Sequence, residues 1–240
     1  MEAPQSDCDA SDCVEINGVC WATTNLDVGG VFCANQEDPG AHYQWGRKPD
    51  GHENCISPGN CTSPTIAGPA SGVNLDSDGQ PIGSFIGKFI TNSSNPYDWR
   101  TPQKDDLWNA LGAGTPPEKT DNDPCPCGWR VPTKTELDAL GTWADQSKVT
   151  KEPICDGTCN GYNLKGMLLT DKATNASLFL PAAGHRYAND GTLNNAGTNG
   201  LYWSSTPIGS SAYNLGFNSG YFSVSYNGRA AGFSVRCVAE

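Results

Sequence analysis

The sequence predicts an α+β domain in which two short helices pack against a small antiparallel sheet, with long loops between the elements. Three observations carry this expectation. The chain holds 28 glycines and 17 prolines and is only 37% hydrophobic, a composition of turns and short strands rather than of a helical bundle. Two segments combine a helix-start signal with an apolar stripe. Beyond Asn160, apolar and polar residues alternate in short runs broken by turn residues. A chain of 240 residues suits one large domain or two small ones, and no linker separates two cores.

Residues 1–13 are polar and are expected to be a disordered extension, with the domain running over 14–240. Met1-Glu2-Ala3-Pro4-Gln5 carries no signal peptide and reads as the start that remains after a leader is removed. Val14 to Leu26 alternate around Asn17-Gly18, and Asn-Gly between apolar flanks signals a tight hairpin. Residues 46–100 read as loop. Within them, Asp76-Ser77-Asp78-Gly79 resembles part of a calcium loop but lacks the later Glu ligand, so a solvated turn is expected. His42 and His52 stand apart in loops and are expected to face solvent. For the first helix, Thr101 can cap, Pro102 suits the first position, Leu107, Trp108 and Leu111 form the stripe, and Gly112 ends it. For the second, Thr133 and Glu136 form a capping box, with Leu137, Leu140 and Trp143 on one face.

The net charge of −11 argues against nucleic acid and anionic lipid as partners, because both are bound through Lys and Arg. No run of about 18 apolar residues is present, so no membrane-spanning helix is expected. Eleven cysteines suit an oxidising compartment, hence an exported protein at a cell surface, outside the cell or on a phage particle. The pairs Cys55/Cys61 and Cys155/Cys159 can staple loops locally, and the odd count leaves at least one thiol free, mixed or intermolecular. The alternative is zinc held by Cys125, Cys127, Cys155 and Cys159, although neither spacing is that of a zinc knuckle. No phosphate loop, His-Glu-x-x-His or Gly-x-Ser-x-Gly motif occurs. The expectation is a protein that is no enzyme, uses no cofactor or metal, and is indifferent to chelators.

Ala212 to Asn227 reads as a hairpin turning at Ser219-Gly220. Tyr213, Leu215, Phe217, Phe222, Val224 and Tyr226 alternate with Asn214, Gly216, Asn218, Tyr221, Ser223, Ser225 and Asn227. Successive strand side chains point to opposite faces, so the apolar set is expected inside and the polar set outside. Tyr with Ser, Gly and Asn is the composition of antibody paratopes: rigid amphipathic area plus adaptable hydrogen bonding. The candidate ligand-binding residues are the outward set together with Leu201, Ile208, Gly209, Ser211, Tyr226, Gly228 and Ala231. The bland alternative is a solvated sheet face. Phe233, Val235 and Cys237 read as a buried final strand, and Trp203 as core.

Several segments together resemble a known family. They are Asn25-Leu26, Phe32 to Trp45, Asp123 to Thr133 (Asp-Pro-Cys-Pro-Cys-Gly-Trp-Arg-Val-Pro-Thr), Leu180 to Arg186 (Leu-Pro-Ala-Ala-Gly-His-Arg), Tyr202 to Thr206 and Gly232 to Val238. In that order the chain resembles the FISUMP family of paralogous domains of anaerobic bacterial surfaces. The resemblance implies a C-type-lectin-like fold and a pairing of Cys125 with Cys237. Cys127 and the Cys155/Cys159 pair depart from the family pattern. No Glu-Pro-Asn or Gln-Pro-Asp tripeptide for calcium-dependent sugar binding occurs. Residues 185–240 are also similar to the variable region of proteins diversified by retroelements, in which adenines of Asn codons are randomised. Such codons cannot become Lys, Glu, Gln, Met or Trp, and from Ala173 to Ala239 only Trp203 belongs to that group. This implies a variable surface over about residues 185–236, and as partner a protein or glycan on another cell or on a phage host. The alternative is an undiversified adhesin or structural subunit of a surface fibre.

Overall fold

The computed structural model describes residues 13–56, 60–68, 72–159 and 163–240. The expected N-terminal extension therefore lies, up to residue 12, outside the described residues. Strands β1 (Cys13–Ile16) and β2 (Val19–Ala22) form the first hairpin. Its turn places Asn17 at φ 48° and Gly18 at φ 80°, the left-handed pair that an Asn-Gly turn supplies with little strain. The chain's end returns to it: Val238 pairs with both Trp21 and Arg130, so Val238–Ala239 lies between β2 and Trp129–Arg130. A second sheet runs β5-β4-β3, from β3 (Val149–Cys155), β4 (Leu164–Asp171) and β5 (Ser177–Pro181). A third runs β6-β7-β8, from β6 (Gly200–Ile208), β7 (Ser211–Asn218) and β8 (Tyr221–Gly228). Short strands make the rest, among them Tyr43–Gln44 against Gly232–Phe233.

The molecule is mostly β, which overturns the expected α+β, C-type-lectin-like arrangement of two helices on one small twisted sheet. Among the described residues there is one α-helix, α1 (Lys134–Ala139), and the strands fall into six sheets. The expected helix over residues 101–112 does not form. Its backbone bonds instead to the turn and segment that follow it: Ala110 N donates to Glu118 O at 2.8 Å, and the Asn109 side chain accepts from Leu111 N and Glu118 N while donating to Gly112 O. Leu107 and Trp108 are buried, but Leu111, which would complete the apolar stripe of a helix here, is 50% exposed. The local signals were real, but tertiary partners satisfied the amides another way. The second helix starts as expected, with both capping-box hydrogen bonds between Thr133 and Glu136. It ends at Ala139, so Trp143 lies beyond it, and Trp143 N donates to Phe222 O at 2.8 Å.

Two apolar clusters form the interior. The first gathers Trp45, Trp99, Trp108, Trp203 and Phe233 with Cys125 and Cys237. The second gathers Ile16, Trp21, Leu137, Leu140, Leu169, Leu215, Phe217 and Phe222. Sheet β6-β7-β8 belongs to both: Trp203 and Ala212 enter the first, whereas Tyr202, Leu215 and Phe217 enter the second. The expected final strand is split between two sheets, as Gly232–Phe233 and Val238–Ala239. Ser234 and Arg236 are buried as deeply as Phe233, Val235 and Cys237, so the segment is covered on both sides.

The expectation that His42 and His52 face solvent is also overturned; both are fully buried. Loops close over them and supply polar partners. His42 sits between the carbonyls of Cys55 and Ala183, at 2.8 and 3.1 Å. His52 Nε2 accepts from Gln44 N at 3.0 Å. Burial lowers the pKa of His42, and burial together with nearby His42 lowers that of His185 to about 4. An unfolded histidine takes up its proton near pH 6.5, above the folded value. Between these values the unfolded state binds more protons, so stability falls as pH falls through that window. Thermal melts from pH 7 down to 4 are expected to show this decline. His185→Phe preserves a ring against Tyr187 and Phe233, and should blunt the decline. An unchanged profile in that variant would remove His185 as a cause.

Candidate binding surface

The outer face of β6-β7-β8 is built by period-two alternation in an unbroken β7–β8 register. Leu201 lies opposite Gly216 and Gly216 opposite Ser223; Trp203 lies opposite Asn214 and Asn214 opposite Ser225; Asn218 lies opposite Tyr221. The other face carries Leu215, Phe217 and Phe222, all buried in the second cluster. The outer face holds a depression of about 190 Å³ lined by Asn199, Leu201, Asn214, Gly216, Phe217, Asn218, Tyr221, Ser225 and Asn227. Ser223 stands beside it, opposite Gly216. The Asn227 side chain donates to Asn214 Oδ1 at 2.9 Å. No Asp, Glu, Lys, Arg or His occurs between Gly191 and Gly228. The depression therefore offers amides, hydroxyls and an aromatic ring, and no titratable acid–base pair.

The structure divides the candidate set. Leu201, Asn214, Gly216, Asn218, Tyr221, Ser225 and Asn227 come together in the depression. Asn214, expected outside, is buried to 1% exposure because first-cluster residues cover that end of the face, so it forms the floor rather than the rim. Tyr213 and Tyr226, expected inside, are not: Tyr213 is half-buried and Tyr226 is 60% exposed, the two rings meeting edge-on 6.4 Å apart beyond the end of the covered face. Val224 is half-buried. Ile208, Gly209 and Ser211 lie at the β6–β7 turn, where buried Arg229 donates to Gly209 O and Ser211 O. Ala231 is buried. A Cβ on Gly228 would lie 2.5 Å from Tyr97 Cβ, so that position has no room to vary. A Cβ on Gly216 would meet its nearest neighbours at 3.8 and 3.9 Å, ordinary contacts in regular backbone. Asn199 was missed, although continuing the period of two back from Leu201 reaches it.

Elsewhere the polar groups are structural. Asp50, His52 and Glu53 bring their ligand atoms within 4.8 Å of one another. The His52 ring accepts a backbone amide through Nε2, which leaves the proton on Nδ1, 2.7 Å from Asp50 Oδ1. Glu53 accepts amides from Gly29, Asp50 and Gly51, and Asp50 also pairs with buried Arg47. Burial alone would raise Glu53, but His52 and these amides hold it at about 2. The three residues form one hydrogen-bonded network with Arg47 and the backbone. In the turn at Asp76, Oδ1 accepts from Asp78 N and Gln80 N. Cysteines form the pairs Cys13–Cys20, Cys55–Cys61, Cys125–Cys237 and Cys155–Cys159, so four thiolates are not available for zinc. Cys33 is a buried free thiol, pushed up to about 12 by burial and then by Asp27 and Asp38. No helix among the described residues is long and apolar enough to cross a membrane.

The sequence model of the family described as the Fibrobacter succinogenes major domain matches residues 14–239. No curated protein and no solved structure matches the chain.

Proposed function

Since the chain belongs to the Fibrobacter succinogenes major domain family, we propose that it is an exported, non-enzymatic surface protein whose outer β6-β7-β8 face binds a protein or glycan ligand and is diversified by a retroelement. The observation that carries this reading is the uncharged depression of Asn, Gly, Ser and Tyr backed by a buried apolar underside. A rigid underside lets the outer side chains change without unfolding the sheet, and Tyr flanked by small polar residues suits varied partners. The four disulfides among the described residues suit an oxidising compartment. The lack of Lys, Glu, Gln and Met from Ala173 to Ala239 is what adenine-directed variation of Asn codons leaves.

The test is a library randomised at Gly216, Asn218, Tyr221, Ser223 and Ser225, scored separately for folding and for binding to selected targets. Most members are expected to fold, each exposed change costing within about 0.5 kcal/mol. Leu215→Ala or Phe217→Ala on the underside should instead cost about 2–4 kcal/mol through cavity formation. Widespread misfolding, or binding that survives alanine at all five positions, would show that this face is not the site. For the diversification, a reverse transcriptase gene beside an adenine-rich repeat of the codons for residues 185–240 is the expected neighbourhood.

A further inference from the structure

The sheet that carries the depression ends in an unguarded strand. β6 is closed on its outer side: Trp203 N donates to Ser234 O, Ser234 N to Leu201 O, and Ser205 N to Pro132 O. β8 forms the other edge and, among the described residues, pairs only with β7. The two-residue turn at Ser219-Gly220 makes Asn218 and Tyr221 a hydrogen-bonded pair. The phase then alternates, so Phe222, Val224, Tyr226 and Gly228 aim their amides and carbonyls away from β7. Two observations confirm that phase: Phe222 O accepts from Trp143 N at 2.8 Å, and Gly228 O accepts from Ala231 N at 3.1 Å. Between those two anchors, Val224 O receives the Ser223 hydroxyl at 3.3 Å. The amides of Val224 and Tyr226 and the carbonyl of Tyr226 have no partner among the described residues.

Free edges invite pairing, and proteins usually guard them with charge, proline or a bulge. The edge strand β3 has such guards: Lys151, Glu152 and Pro153, with the Cys155–Cys159 staple at its end. β8, eight residues long, carries no charge and no proline, and its register is regular.

We infer that β8 receives an extended segment of a polypeptide ligand as an added strand. The inference rests on the binding reading above and narrows its ligand to protein. A row of main-chain donors and acceptors is matched by another extended backbone, whose alternate side chains would reach the depression on one side and Tyr226 on the other. With the chain at −11 and this strip uncharged, the segment that fits is neutral or basic.

The experiment selects random linear peptides on the intact wild-type protein and measures their Kd for variants. Tyr226→Pro deletes an outward amide without touching the ladder to β7, as proline permits on an edge. It should weaken binding at least about tenfold relative to Tyr226→Ala, which loses the same side chain but keeps the amide. In the wild-type protein, peptide binding should slow exchange of the Val224 and Tyr226 amides about tenfold or more, a readout that does not depend on the proline variant folding. Failure of any linear peptide to bind, equal affinity for the proline variant, or unchanged exchange at both amides would overturn the inference. So would a wild-type dimer that peptides do not dissociate and Tyr226→Pro does, since the occupant would then be a second copy. Binding lost with five alanines in the depression but kept in Tyr226→Pro would leave the binding face standing and remove the edge. The converse would keep the edge and remove the face.

Discussion

Replacing Cys125 and Cys237 together with alanine is expected to lower stability by up to about 4–5 kcal/mol, the chain-entropy value for closing a loop of this length. The two residues are 112 apart in sequence, and their bond belongs to the first cluster. Both ends are anchored: the Cys125 amide donates to Asp123 Oδ1 at 2.9 Å, and Cys237 O accepts from Ala22 N at 3.0 Å. The bond therefore joins the loop before Trp129–Arg130 to the chain's end beside β2. Alanine rather than serine avoids placing an unpaired hydroxyl among Trp45, Trp129 and Phe233. Urea denaturation of the double variant against wild type checks the value. A loss below about 1 kcal/mol would mean that the strand pairings of Val238 close this loop without the staple.

Arg236→Met is expected to cost about 3–5 kcal/mol, because it leaves three buried neutral acceptors without their donor. Arg236 is 1% exposed, and among the described residues no carboxylate pairs with it. Its Nε donates to Asn25 Oδ1 at 2.9 Å, Nη1 to Ala22 O at 3.1 Å and Nη2 to Phe179 O at 3.0 Å. One guanidinium thus joins the end of β2, the loop after it and strand β5. Methionine fills similar volume and leaves three acceptors without a donor, each of which costs about 1–3 kcal/mol when buried. Lys134→Met is the matched control. Its pair with Asp138 is solvent-exposed, so it should change stability by less than about 1 kcal/mol. Equal losses in the two variants would show that burial of Arg236 has no energetic consequence.

Sequence alone determined the elements whose causes are local. Asn17-Gly18 closes the first hairpin because those residues tolerate positive φ, and Thr133 with Glu136 starts α1 because the capping bonds span three residues. The β7–β8 hairpin follows from its period of two, and most of the candidate surface with it. Tertiary structure decided what covers each face. Residues 101–112 carry a helix signal but bond to Glu118. His42, His52 and Asn214 are polar and reside in the interior, because carbonyls, a carboxylate and amides of the segments folded around them meet their hydrogen bonds there. Tyr226 lies on the apolar phase of its strand yet is exposed, because the second cluster ends before it reaches that position. Alternation assigns a residue to a side of the sheet; whether that side is core, floor or open surface depends on segments that can lie more than two hundred residues apart, as Ala22 and Asn25 do from Arg236.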